Sequence, residues 1–335
     1  MDESLRGKNL ITLDDWSREE IDNIIDLAIE LKGFRACGKI IDYLKNRTLF
    51  MIFFEQSTRT RNSMEAGMTQ LGGHAHDLTV DKMQISHGES PRDTARVLSS
   101  MGEAIAIRNC FYGIGNGYIR SIAEEAYIPV ISMQDDIYHP LQAIADLMTI
   151  REVFDRNTSG IKVAVSWAYA KSHAKPLSVP QSQALLFPRY GMDVTIANPP
   201  EFPLQKSIIE KSKTNAVSNG GNILFVDSME EAIADADIVI PKNWGGFGYF
   251  DEYVDSEDQR REMAANLEKH KDWICDERKF SLAKPDARIM HALPADRGRE
   301  VTDSLLDGSN SIIYREAENR LHTAKSILSS LIGRR

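Results

Sequence analysis

The chain has 335 residues, 42 % of them apolar, with a formal net charge of −9 and a sequence pI of about 5.5. This length suggests two domains with real cores, and the acidic balance excludes nucleic acid as the main partner, because phosphate backbones select a basic surface. The N-terminus MDESLRGKNL is polar, no stretch nears a spanning length, and Cys37, Cys110 and Cys275 are too scattered for a disulfide framework, so a soluble cytoplasmic protein without membrane contact is expected.

In chain order, LDDWSREEIDNIIDLAIELK opens with polar capping residues and carries Ile21, Ile24, Ile25, Leu27, Ile29 and Leu31 at helical recurrence, predicting a first helix. TLFMIFF (48 to 54) reads as a buried strand and Thr58 to Leu71 as a helix closed by Gly72 and Gly73. EAIAIRNC (103 to 110) and YIPVISMQ (127 to 134) predict two more strands, each after helical sequence, and HPLQAIADLMTIREVF (139 to 154) an amphipathic helix. The pattern breaks at Asn157 to Gly160 and restarts with IKVAVSW. GMDVTIANP, NILFVDS, SMEEAIADADIVIPKNW and ARIMHALP continue the alternation, and REAENRLHTAKSILSSLIG forms a last helix long enough to cross back onto the first domain. The expected fold is α/β, with two doubly wound parallel-sheet domains: residues 1–154 together with the C-terminal helix 315–335, and residues 155–314.

Ser57, Thr58, Arg59, Thr60 and Arg61 stand where the first strand hands over to a helix. The first N–H groups of a helix lack internal partners and the dipole adds positive charge there, so hydroxyls and guanidinium forks at that end suit a phosphate compound. The alternative is that Ser57 only caps the helix and the arginines lie on a solvated face. Arg108 follows the strand-like AIAI, and His139, Pro140 and Gln142 follow the next strand, so both groups belong at carboxyl ends of one sheet, where open α/β sheets bind ligands.

GIGNG (113 to 117) invites a dinucleotide reading and hence a nucleotide-dependent dehydrogenase, but its G-x-G-x-G spacing lacks the third glycine of the fingerprint, and a flexible loop is expected. His74 and His76 would share one side of a strand with no third ligand, so no metal is expected. DEYVDSEDQRREMAANLEKHK (251 to 271) reads as a solvated helix or excursion.

Five separated motifs occur together: S-T-R-T-R, the QISHGES-x-x-DTARVLSSM segment, the strand ending in Ile107-Arg108, H-P-x-Q at 139 to 142, and HALP (291 to 294) followed by EAENR (316 to 320). In this order they resemble the aspartate/ornithine carbamoyltransferase family over nearly the whole chain. The resemblance implies transfer of a carbamoyl group from carbamoyl phosphate to a small amino-acid-like amine, such as ornithine or a derivative, by direct attack and with no metal or organic cofactor. It implies that Ser57, Thr58, Arg59 and Thr60 hold the phosphate, and that Arg108 and His139 bond the carbonyl oxygen. Gln142 would accept from the carbamoyl NH2, and Arg320 would return from the last helix to the carbamoyl group. Gln84 would reach a neighbouring subunit's carbamoyl phosphate, which implies a homotrimer or a multiple of it. The Ala292 and Leu293 carbonyls would accept from the amine; family members with Cys at the first of these positions use a residue whose backbone acceptor survives the change to Ala292, whereas a thiol role does not. A homologue that kept the fold and lost turnover is the remaining alternative, made unattractive by retention of Arg59, Arg108, His139, Gln142 and Arg320.

The Asp-x-x-x-Ser-Met-Gly element of ornithine enzymes is absent: DSMEE (227 to 231) reads as a helix cap, and PKNWGGFGYF (241 to 250) stands at the expected place. AYAKSHAKPLSVPQS, with Pro176 and Pro180, and the KNW at 242 to 244 resemble the knotted branch of the family, which includes N-acetylornithine and N-succinylornithine carbamoyltransferases. That resemblance implies a trefoil-type knot in the second domain and acceptor-side roles for Trp167, Lys242, Asn243 and Trp244, with Lys242 suited to an acceptor carboxylate. For the two tryptophans the alternative is core packing.

Overall fold

The computed structural model describes residues 5–170, 175–246 and 256–333. Part of the proline-rich segment (171–174), the end of PKNWGGFGYF (247–250) and the start of the charged stretch (251–255) lie outside the described residues. The chain forms two compact units, residues 1–148 with 318–335, and residues 149–317. The division falls between Met148 and Thr149, inside a helix, and not at the break after residue 154. Turn chemistry marked that break, whereas packing drew the division.

The first unit is built on four parallel strands, β1 (Thr48–Phe53), β2 (His74–Thr79), β3 (Ala104–Asn109) and β4 (Val130–Asp135), in the order β2-β1-β3-β4. Its helices are α1 (Arg18–Ala36), α2 (Arg59–Gln70), α3 (Pro91–Ser99), α4 (Gly115–Glu125) and the start of α5 (Pro140–Val153). A reciprocal Ser17/Glu20 capping box starts α1. β1, β3 and β4 are buried along nearly their whole length, as parallel strands covered on both faces must be, while edge strand β2 keeps exposed residues. Ile52, Ile105, Ile107, Ile119, Ile122 and Val130 meet in this core. Leu10 adds one parallel bridge to Ile131 on the β4 side. The amphipathic reading of α5 is corrected: every residue from Pro140 to Ile150 is buried, and the helix has no solvent face over that span.

The second unit carries β5 (Lys162–Trp167), β6 (Asp193–Ala197), β7 (Asn222–Val226), β8 (Ile238–Lys242) and the short β9 (Arg288–Ile289), all parallel, in the order β7-β6-β5-β8-β9. Ser228 caps the helix Met229–Ile233 by accepting from Glu231 N at 3.2 Å, which accounts for DSMEE. The last helix, Ile313–Ile332, belongs to the first unit from Glu318 onward. Strand order reverses between β1 and β3 in one unit and between β5 and β8 in the other. The carboxyl ends of those pairs are where such sheets leave room for a ligand.

Candidate active site

In the first unit, Phe53 at the end of β1 is in register with Arg108 near the end of β3, so the pentad and Arg108 share the reversal point. α2 begins at Arg59 with Thr58 as its N-cap, one residue beyond the expected Ser57. Thr58 has helical backbone angles and its side chain makes no capping bond, so its hydroxyl is not spent on the helix. Its carbonyl accepts from Asn62 N at 3.1 Å and Asn62 Nδ2 at 2.7 Å. Ser57 and Arg59 are half-buried, whereas Thr60 is buried. Arg61 pairs with Asp77 and lies 4.0 Å above the Phe53 ring, a structural arrangement.

Thr60, Gln142 and Arg320 meet although the chain separates them widely. Arg320 Nη2 donates to Thr60 Oγ1 at 2.8 Å and Nη1 donates to Gln142 Oε1, while Gln142 Nε2 donates to Asp146 Oδ1 at 2.7 Å. All three side chains are buried, so the guanidinium is fixed by its fork and not by charge alone.

Arg108 Nη1 donates to Gln134 Oε1, and its Nε lies 3.9 Å from Glu55 Oε2. Among the described residues neither of those two atoms has a hydrogen-bond partner. Burial lifts the Glu55 carboxyl above its usual range, opposed by the Cys110 N–H and by Arg108. His139 opens α5, its carbonyl accepting from Gln142 N at 3.1 Å and Ala143 N at 3.2 Å, with its ring buried.

The turn carrying His139 is organised by a residue that sequence reading missed. Asp135 Oδ1 accepts from Ile137 N (2.8 Å) and Tyr138 N (2.6 Å), and Oδ2 from Ser132 Oγ (2.8 Å) and Asn116 Nδ2 (3.1 Å). Burial pushes this carboxyl up to about 7, against those four donors. The Asp-Asp pair after a strand was the available signal, since a short acid side chain readily ties its own turn.

GIGNG is corrected as well. It is an ordered turn that starts α4, and Asp136 fills it: Gly113 N and Asn116 N donate to the carboxylate at 2.9 and 2.7 Å. A Cβ on Gly115 would lie 1.9 Å from Asn109 O, so close backbone approach requires glycine there. The chain's own carboxylate occupies the N–H groups that a dinucleotide phosphate would need, and the dehydrogenase alternative loses its support. Gln84 sits apart from these residues on the exposed 3-10 turn Gln84–His87, its Oε1 3.2 Å from His87 Nδ1.

In the second unit Trp167 and Lys242 pair in register at the ends of β5 and β8. Trp167 Nε1 donates to Trp244 O at 2.7 Å, its ring stacks on Phe202 at 4.9 Å, and Trp244 Nε1 donates to Phe202 O at 2.8 Å. Both rings are fully buried and both indole N–H groups already serve backbone carbonyls, so packing, the alternative reading, describes these tryptophans. Asn243 donates Nδ2 to Ala168 O at 2.6 Å and accepts at Oδ1 from Lys175 N at 3.0 Å, which ties the segment after β5 to the end of β8.

Lys242 faces Glu300, 3.8 Å from Nζ to Oε1. Lys175 Nζ also donates to Glu300, Asn243 N donates at 2.7 Å and Asp296 N at 2.6 Å. His291 Nε2 is 3.4 Å from the same carboxylate, while its Nδ1 accepts from Leu293 N at 2.8 Å, which leaves the ring proton on Nε2. Although burial opposes ionisation, Lys242, His291 and Lys175 hold the Glu300 carboxyl well below its ordinary range, and burial keeps His291 below its own. Sequence reading missed Glu300, because a glutamate in ADRGRE looks like surface. Ala292 is buried and Leu293 half-buried, with a left-handed φ of 47° at Leu293. Such a conformation is uncommon outside glycine and asparagine and recurs at functional sites.

Residues 8–152 match the family model described as the aspartate/ornithine carbamoyltransferase carbamoyl-P binding domain, and residues 163–331 match its Asp/Orn binding domain. The ornithine carbamoyltransferase of Anoxybacillus flavithermus is 37 % identical over 98 % of both chains. YgeW of Escherichia coli K12, named provisionally as a carbamoyltransferase, is 36 % identical over 93 % of this chain and 87 % of its own. Among solved structures, ornithine carbamoyltransferase from Pyrococcus furiosus superposes with a TM-score of 0.86 at 34 % identity, covering 98 % of each chain. Acetylornithine transcarbamylase complexed with acetylcitrulline superposes with a TM-score of 0.86 at 29 % identity, over 98 % of this chain and 100 % of that one. With both family domains matched along most of its length, this chain belongs to the aspartate/ornithine carbamoyltransferase family.

Proposed function

We propose that the protein transfers the carbamoyl group of carbamoyl phosphate to the side-chain amine of ornithine or an ornithine derivative. The amine nitrogen forms a bond to the carbonyl carbon, the bond from that carbon to the phosphate oxygen breaks, the amine loses a proton and inorganic phosphate leaves. The first N–H groups of α2, the hydroxyls of Ser57, Thr58 and Thr60 and the Arg59 fork neutralise the phosphate. Arg108 and His139 bond the carbonyl oxygen where negative charge grows, an interaction stronger in the transition state than in the ground state. Gln142 accepts from the carbamoyl NH2 and Arg320 holds the carbamoyl group. The Ala292 and Leu293 carbonyls accept from the attacking amine. The observation that carries this reading is the guanidinium of Arg320 bonded at once to Thr60 and Gln142, beside the β1/β3 reversal point.

The same reading makes the protein a cytoplasmic homotrimer or a multiple of it, with the exposed Gln84 turn lent to a neighbour's site. It also includes the threading of one second-unit loop through another, supported by the Pro176/Pro180 segment and the Lys242–Trp244 triplet. Sedimentation tests the oligomer, and a crystallographic chain trace tests the knot.

Incubation with carbamoyl phosphate and a panel of amines (ornithine, N-acetylornithine, N-succinylornithine, lysine, aspartate, diaminopropionate), following ureido product, tests the activity. Product from none of them would leave the silent-homologue alternative. His139→Ala should lower kcat about 10- to 100-fold with little change in carbamoyl phosphate affinity, and Arg59→Ala should mainly weaken that affinity; unchanged kinetics in both would remove these assignments. A side-chain amine with an unperturbed pKa of ~10.4 is mostly protonated at neutral pH, so turnover should climb from pH 7 towards alkaline values. A flat profile would show that amine deprotonation does not control the rate.

A further inference from the structure

Among the described residues, the predicted acceptor-side segments converge on Glu300, and no motif pointed to it. Its carboxylate is fully buried and accepts the backbone N–H of Asn243, at the end of β8, and of Asp296, beyond the H-A-L-P turn, at 2.7 and 2.6 Å. It also receives Lys175 Nζ and faces Lys242 Nζ at 3.8 Å and His291 Nε2 at 3.4 Å. Lys175 is held in turn by Pro294 O at 3.1 Å and Asp296 Oδ1 at 3.4 Å. One carboxylate therefore ties together three stretches of chain, 175, 242–243 and 291–296, of which Lys242 alone lies in a described strand pairing.

A buried charge survives only where fixed donors replace its water, and such a group in turn fixes the donors. Here the donors include the Asp296 N–H, two residues beyond Pro294, and the Lys175 ammonium, and the lysine ending β8 faces the same carboxylate. The cation at Lys242 is consequently already matched by Glu300, so an acceptor carboxylate would have to share it.

We propose that Glu300 is a positioning residue of the acceptor side: it sets the place of the 291–296 turn and of Lys242, and thereby controls acceptor affinity without touching the carbamoyl donor. This rests on the carbamoyltransferase reading above. Donor and acceptor constants separate a positioning role from a general structural one, because partial unfolding lowers the active fraction, and so the apparent kcat, while leaving both KM values alone.

The test compares wild type, Glu300→Gln and Glu300→Asp with carbamoyl phosphate and with whichever of ornithine, N-acetylornithine and N-succinylornithine the wild type turns over. Glu300→Gln places an NH2 group against one of the two backbone donors and releases the lysines; the acceptor KM should rise at least tenfold, with carbamoyl phosphate KM within twofold of wild type. Glu300→Asp, which keeps the charge at shorter reach, should recover part of that loss and serves alone if the glutamine variant does not fold. An unchanged acceptor KM in the folded variants, or equal changes in donor and acceptor KM, would overturn the proposal. Absence of wild-type turnover with all three amines would instead overturn the reading on which it rests, and the proposal with it.

Discussion

Arg320→Ala should lower kcat/KM for carbamoyl phosphate by about 100- to 1000-fold, or roughly 3–4 kcal/mol of transition-state stabilisation. The guanidinium is buried and bridges Thr60 Oγ1 and Gln142 Oε1, one from the first turn of α2 and one from the first turn of α5. Removing it takes away a donor set and also leaves two buried oxygens that had been satisfied, which adds about 1–3 kcal/mol of lost stability. Arg320→Lys should not rescue the loss, because an ammonium is a point charge and cannot span both acceptors in the geometry of a planar fork. Steady-state kinetics against carbamoyl phosphate, with urea unfolding of the same variants, separate the two effects. Wild-type kinetics in Arg320→Lys would show that charge alone suffices there.

Lys325→Met should stabilise the protein by about 1–3 kcal/mol at pH 7, an unusual direction for a core substitution. Lys325 is 3 % exposed, and among the described residues its Nζ has only distant acceptors, Leu31 O and Gln70 Oε1, both at 3.4 Å, at the carboxyl-terminal parts of α1 and α2. The stem runs against Gly67, where a Cβ would lie 3.5 Å from Lys325 Cγ, in ordinary van der Waals contact. Burial, aided by Arg35, pushes the amine down to about 8 from its ordinary 10.5. The unfolded chain therefore holds this proton up to the ordinary value while the folded protein gives it up near pH 8. Between those two pH values the unfolded state binds more protons, and stability from this group rises with pH; it is fully present above the ordinary value and lost as pH falls through about 8. The advantage of Lys325→Met is thus greatest below pH 8 and shrinks towards pH 10.5. Paired urea titrations at neutral and alkaline pH measure it. An advantage equal at both would assign the effect to packing instead of charge.

Several parts of this molecule were legible in the amino-acid order because they depend on near neighbours in the chain. The apolar runs that became β1, β3 and β4, the Ser17–Glu20 capping box and the Ser228 cap are local: period, polarity and one capping oxygen decide them. The motifs that carried the family resemblance were equally readable, since each is a short string at a strand end.

Other features needed the third dimension. Nothing in HPLQAIADLMTIREVF says that a helix with polar residues at intervals will be buried on every side from Pro140 to Ile150; its neighbours decide that. GIGNG resembles a phosphate cradle until Asp136, twenty residues on, is seen to fill it. Trp167 and Trp244 could serve a ligand or the core as far as their spacing tells, and two backbone carbonyls settle what their N–H groups do.

By itself the sequence determined the α/β alternation, the strand-to-helix junction at residues 57 to 61 and the family. Only the tertiary structure decided which polar groups are matched inside the protein: Arg320 by Thr60 and Gln142, Asp135 by its own turn, Glu300 by two lysines and two peptide N–H groups. The reason is physical. Helix and strand preferences act over a few residues, whereas a buried charge is tolerated only by partners the fold brings from anywhere in the chain, and their identity cannot be read from spacing.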